Sequence, residues 1–143
     1  MKKIMLGLIA LASLLVGCRN NTTIDSFTDS LSESEVKYQK ITAAEAQKIM
    51  DEGVPYILLD VRTEEEYKEA HIAGSILLPH TDISSNALEQ LPDKNEIILI
   101  YCRSGRRSAE AAEALAQMGY SHVYDFGGII DWPYETVSDD TIK

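Results

Sequence analysis

The chain has 143 residues, 45% hydrophobic and 25% charged, which is enough for one domain with its own core. Its formal net charge is −10, and that excludes a nucleic-acid partner, because phosphate contacts need a basic face. Against this acidity, three of the five arginines (Arg103, Arg106 and Arg107) fall in one short loop, a grouping suited to holding a small anion.

Lys2 and Lys3 form a basic start, and Ile4 to Val16 is an apolar run. The run is shorter than the roughly 20 residues that span a bilayer, so it reads as a secretory leader. It ends in Leu15-Val16-Gly17-Cys18, which resembles the bacterial lipobox. That resemblance implies a leader at 1–17, cleavage before Cys18 and a lipid on its sulfur. Loss of Lys2 and Lys3 would take the net charge from −10 to −12. The expectation is a lipid-anchored protein of the bacterial cell envelope, with its domain facing the periplasm or the exterior. If Cys18 carries lipid it cannot pair, and Cys102 is the remaining thiol. Arg19 to Val36 is rich in Ser, Thr, Asp and Asn, and 18–37 is expected to be a lipidated cysteine with a disordered tether. About 20 such residues reach roughly 25 Å. The folded domain is expected over 38–143.

Within the domain, Tyr38 to Ile41 is a short candidate strand. Thr42 with Glu45 makes a capping-box pattern for a helix through Met50, which Gly53 ends. Tyr56 to Val61 is a continuous apolar run of the kind covered on both faces in a parallel sheet. Thr63 with Glu66 repeats the capping pattern and opens a short acidic helix. Ile76 to Leu78 is expected as a buried strand closed by Pro79, and Asp82 to Leu91 as a helix. Ile97 to Tyr101 is the strand that leads into Cys102. Ser108 to Met118 is the strongest helix, with Ala111, Ala114, Leu115 and Met118 on one face. Val123 to Phe126 is the last strand, and Gly127-Gly128 leads to a short helix near Trp132. Alternating strands and helices predict an α/β domain with a largely parallel sheet, whose ligands sit at the carboxyl ends of strands. Cys102 lies at such an end.

A free cysteine has a pKa of about 8.5, and arginines and a helix N-terminus favour its thiolate. Gly105 lets the loop curl so that successive N–H groups converge. Two reactions suit such a thiolate: attack on a sulfane sulfur, leaving a persulfide on Cys102, or attack on phosphorus. Cysteine phosphatases of this general design resemble Cys-x5-Arg, and here the corresponding position is Ser108. The loop Cys102-Arg103-Ser104-Gly105-Arg106-Arg107 is one residue shorter, and a smaller ring suits a cysteine bearing one extra sulfur. Asp60 and Arg62 are expected to fix loops through pairing with Glu65 or Glu66, and His71 to serve a turn. His80 and His122 lack a partnering pattern, so no metal site is expected, and no cofactor is called for. Trp132 is expected in the core.

Several stretches together resemble the single-domain rhodaneses, the thiosulfate sulfurtransferase-like family. They are Leu59-Asp60-Val61-Arg62 followed by Glu65, Glu66 and Tyr67, Ala70 to Ser75 followed by Leu78-Pro79, the CRSGRRS loop, and Gly127-Gly128 with Trp132. The resemblance covers about Tyr38 to Trp132. It implies an α/β fold with about five mainly parallel strands flanked by helices on both faces. It further implies that Cys102 is the nucleophile and persulfide carrier, and that the amides of Arg103, Ser104, Gly105, Arg106 and Arg107 form the cradle. The three arginine side chains become candidates for the donor's sulfonate end. The implied partners are a small anionic sulfur donor and a thiol or cyanide acceptor. A phosphatase or arsenate-reductase-like enzyme on the same fold, and a non-catalytic binding or redox-sensing module, are the alternatives.

Overall fold

A computed structural model describes residues 37–139; the leader, Cys18 and the tether to position 36 lie outside them. The elements are β1 (Gln39–Lys40), α1 (Ala43–Asp51), β2 (Tyr56–Asp60), α2 (Glu64–Glu69), β3 (Ile76–Leu77), α3 (Ile83–Gln90), β4 (Ile97–Cys102), α4 (Arg106–Gln117) and β5 (His122–Gly128). Short 3-10 turns cover His80–Asp82 and Ile129–Asp131.

The five strands pair in the order β1-β5-β4-β2-β3, and each pairing is parallel. The α/β parallel fold anticipated from the alternating pattern is therefore present. β4 lies in the middle, and this explains its unbroken apolar run, Ile98 to Tyr101, all fully buried. Strand alternation splits that run between two cores. Ile98, Ile100 and Cys102 face one side, packed with Ala111, Ala112 and Leu115 of α4 and Ile83 and Ala87 of α3. Leu99 and Tyr101 face the other, with Ala46 of α1, Phe126 and Trp132. Trp132 is thus in the core, its ring 5.4 Å from Phe126 and 4.9 Å from Tyr134. Burying a large apolar side chain contributes about 1.5–3 kcal/mol, so the two faces of β4 anchor the domain.

Both capping boxes form. Thr42 and Thr63 each accept from the N–H three residues on, and Glu45 and Glu66 return the bond to the cap backbone. Three expectations need correction. β3 is a two-residue strand at the sheet edge, with Ile76 40% exposed, and only Leu78 just beyond it is fully buried. The apolar triplet looked like a buried strand, but the edge position leaves one face open. The long helix also begins at Arg106, two residues earlier than the sequence suggested. Gly105, at φ 99°, serves as its N-cap in the left-handed region, so the helix opens inside the arginine loop. Finally, Gly127 and Gly128 belong to β5 itself.

Candidate active site

Cys102 is the last residue of β4 and is 1% exposed. Its Sγ accepts a hydrogen bond from the Gly105 N–H at 3.0 Å. Burial raises the thiol pKa, but the Ser108 hydroxyl and the N–H groups of Ser108, Gly105 and Ser104 outweigh it, and the net direction is downward. These donors exist because the Gly105 turn aims the free first-turn N–H groups of α4 back at the end of the strand. Ser108 is fully buried, and its hydroxyl also lies 3.1 Å from the Gly105 carbonyl and 3.3 Å from that of Gly127. In the sequence Ser108 stands out only as the place where a Cys-x5-Arg phosphatase has arginine. A small hydroxylated residue on the first turn of the helix was the available signal.

The loop is pressed against β5. Pairing of β4 with β5 shifts register between Ile100 and Cys102, so that Cys102 lies opposite Gly128. A Cβ at Gly128 would sit 2.6 Å from Ser104 Cα and would collide with the Arg103 carbonyl. The Arg103 carbonyl is in turn held by the Ile130 N–H at 3.3 Å. Asp125, buried in β5, accepts from the Gly127 N–H at 3.0 Å and fixes the approach of the two glycines.

The three loop arginines part company. Arg106 turns outward to Glu110 at 2.7 Å, and both side chains are well exposed. Arg107 makes a two-point pair with Glu66 of α2, 2.7 Å at each nitrogen. Arg103 is exposed, and its guanidinium makes no ion pair among the described residues.

Asp60 and Arg62 pair with each other. Arg62 donates from Nη2 at 2.6 Å and from Nε at 3.0 and 3.1 Å, and its Nη2 reaches the Ala70 carbonyl at 2.7 Å. The expected partner, Glu65 or Glu66, is not used, because Glu66 is committed to Arg107. Burial alone would lower the Arg62 pKa; the Asp60 bonds and charge reverse the direction. Tyr101 donates or accepts at Ser75 Oγ (3.1 Å) and accepts from the Ile72 N–H (3.1 Å), so it pins the turn that carries His71. His71 stacks on Tyr67 at 3.9 Å, its Nδ1 lies 2.9 Å from the Tyr67 carbonyl, and its backbone bridges to Val137. Asp60, Arg62 and His71 therefore hold backbone, and none of these contacts is to the sulfur. Among the described residues no group of three or more His, Cys, Asp or Glu is placed to hold a metal.

The chain is similar to known proteins in sequence and fold. The family model described as "Rhodanese-like domain" matches residues 42–133. Thiosulfate sulfurtransferase PspE of Escherichia coli (strain K12) is 40% identical over 73 residues, which cover 51% of this chain and 70% of PspE. A solved "rhodanese with anions from E. coli" aligns with TM-score 0.56 and 36% identity, over 59% of this chain and 99% of that one. The rhodanese-like domain protein from Staphylococcus aureus aligns with TM-score 0.64 and 34% identity, over 71% of this chain and 98% of its own.

Proposed function

The chain belongs to the rhodanese-like family, and from that premise we propose a sulfurtransferase that carries sulfane sulfur on Cys102. One observation carries the reading: a buried thiol at the end of the central strand, ringed by N–H groups that favour its anion. In the first half-reaction the thiolate attacks the outer sulfur of thiosulfate or a similar donor. A Cys–S–S bond forms, the S–SO3 bond breaks, and sulfite leaves with the bonding pair. In the second, cyanide or a thiolate attacks the terminal sulfur of the persulfide. Thiocyanate or a new persulfide leaves, and the Cys102 thiolate returns. The N–H groups of the loop from Arg103 to Arg107, with that of Ser108, stabilise negative sulfur in both forms, as preorganised donors do for developing charge.

Of the three arginines, Arg106 and Arg107 already hold carboxylates, and Arg103, which makes no ion pair among the described residues, is the guanidinium best available to the donor's sulfonate. Asp60, Arg62 and His71 support the loops around it. The leader pattern at 1–17 and the Cys18 that follows support a lipid anchor, a tether at 18–37 and a domain at 38–143 facing the periplasm or the exterior. Cys18→Ala should leave the precursor unprocessed and abolish labelling by a fatty-acid analogue; labelling of that variant would refute the anchor. The enzymatic reading is tested by thiocyanate formation from thiosulfate and cyanide. The protein should form it, and Cys102→Ser should not.

A further inference from the structure

On the face of the sheet opposite Cys102, α1 and the segment after Trp132 line an open cleft of about 930 Å³, an ordinary volume for a small-ligand site. Its aromatic lining includes Tyr56, half-buried, and Tyr134, 44% exposed, which stands edge-on to Trp132 at 4.9 Å. The segment that carries Tyr134 is fixed, because Val137 and His71 exchange two backbone hydrogen bonds, 2.7 and 2.8 Å. Two exposed carboxylates line the cleft, Asp51 from α1 and Glu135 from the segment, and no lysine or arginine does. Neither carboxylate has an ion-pair partner among the described residues. Asp51 accepts from Gln47 Nε2 at 2.9 Å, a neutral donor that leaves its charge uncompensated. It is also the last residue of α1, where free helix carbonyls already carry partial negative charge. Helix end, carboxylates and aromatic rings therefore all ask for a cation.

We propose that this cleft is a second binding site, for a small free organic cation of the alkylammonium class. The quadrupole of a tyrosine or tryptophan ring attracts such a cation, and its alkyl groups suit the apolar part of the lining. Asp51 and Glu135 supply the opposite charge. Other occupants fit less well. A second copy of this chain, at a net charge of −10, brings the wrong sign. A phospholipid headgroup places a phosphate beside its ammonium, which the two carboxylates repel. A metal ion finds no group of three or more His, Cys, Asp or Glu among the described residues. The site lies across the sheet from the thiol and does not rest on the sulfurtransferase reading.

Trp132 lines the cleft and is the chain's one tryptophan, so its fluorescence reports on this site. At ionic strength held constant with sodium chloride, choline chloride should change the emission saturably, half-maximally at about 1–10 mM. The neutral isostere of choline, with carbon in place of nitrogen, should not saturate over the same range. Asp51→Asn keeps an acceptor for Gln47 and loses only the charge, and Glu135→Gln does the same on the other side. Each should raise the half-saturation about threefold, a modest factor because both groups are exposed. Tyr134→Leu keeps an apolar side chain without the ring and should weaken binding by about the same factor. An unchanged rate of Cys102 alkylation by iodoacetamide in these variants shows that the fold is intact. Cys102→Ser should bind choline as the parent does, so loss of the enzymatic reading would show separately, as absent thiocyanate with an intact titration. No saturable change with choline, an equal response to the isostere, an unmoved half-saturation in Asp51→Asn or Glu135→Gln, or a response to phosphatidylcholine vesicles without one to choline would overturn the proposal.

Discussion

Cys102 is pulled in two directions. Burial favours the neutral thiol, while four donors from Ser104, Gly105 and Ser108 favour the anion, and the donors win. The reactive form is the thiolate, so activity should rise with pH and level off below the ordinary thiol value of about 8.5. A rate that keeps climbing past that value would contradict the lowered pKa. Ser108→Ala deletes one donor, and it should shift the profile upward by about one unit and cut the neutral-pH rate several-fold, at a cost of about 1 kcal/mol in stability. Arg103→Gln should act differently, raising KM for thiosulfate about tenfold with a smaller change in kcat, since it would remove a donor-binding contact rather than tune the sulfur. The cysteine and its arginines were legible in the sequence because they are contiguous. Their fates were not: Arg107 is claimed by Glu66, 41 residues away, and no local pattern announces that. Arg62 pairs with Asp60, two residues before it, rather than with Glu65 or Glu66, and spacing alone does not rank these three nearby carboxylates.

Among elements, the crossing of the loop with the end of β5 decides whether the cradle exists. Gly128 is where the Arg103–Ser104 backbone passes closest, and there a methyl group has no room. Gly128→Ala should destabilise the domain by about 1–3 kcal/mol and reduce Cys102 reactivity together, read by denaturant unfolding and alkylation rate. Stability lost with reactivity intact would mean that the loop can move aside at little cost. Helix starts built on a local capping box were readable in advance, as Thr42 with Glu45 and Thr63 with Glu66 show. α4 lacks a side-chain cap, and its start depends on a left-handed glycine held by neighbouring structure, which is why its first two residues looked like loop. β3 failed for a related reason: three apolar residues do not reveal whether a further strand will cover them.

At the scale of the whole molecule, a parallel sheet with a core on each face puts β4 in the centre and Cys102 at its carboxyl end. That much followed from strand–helix alternation and the apolar run of β4. Acid should loosen the ties between elements around the site. Glu66 titrates near 2 in the fold against an ordinary 4.5, so its stabilisation is complete above about 4.5 and is lost as pH falls toward 2. The wild-type domain should therefore lose stability over that window more steeply than Glu66→Gln; equal slopes would mean that the pair adds nothing to the fold. In the proposed function the rhodanese-like fold, the loop and the shielded thiol serve one chemical event, the capture of a single sulfur atom. The most direct measurement is the intact mass of the purified protein after thiosulfate, without reductant, with peptide mapping of the product. The account predicts a gain of one sulfur on Cys102, equimolar sulfite, and loss of the added mass when cyanide is supplied. No added sulfur on Cys102, or the same gain in Cys102→Ser, would contradict it.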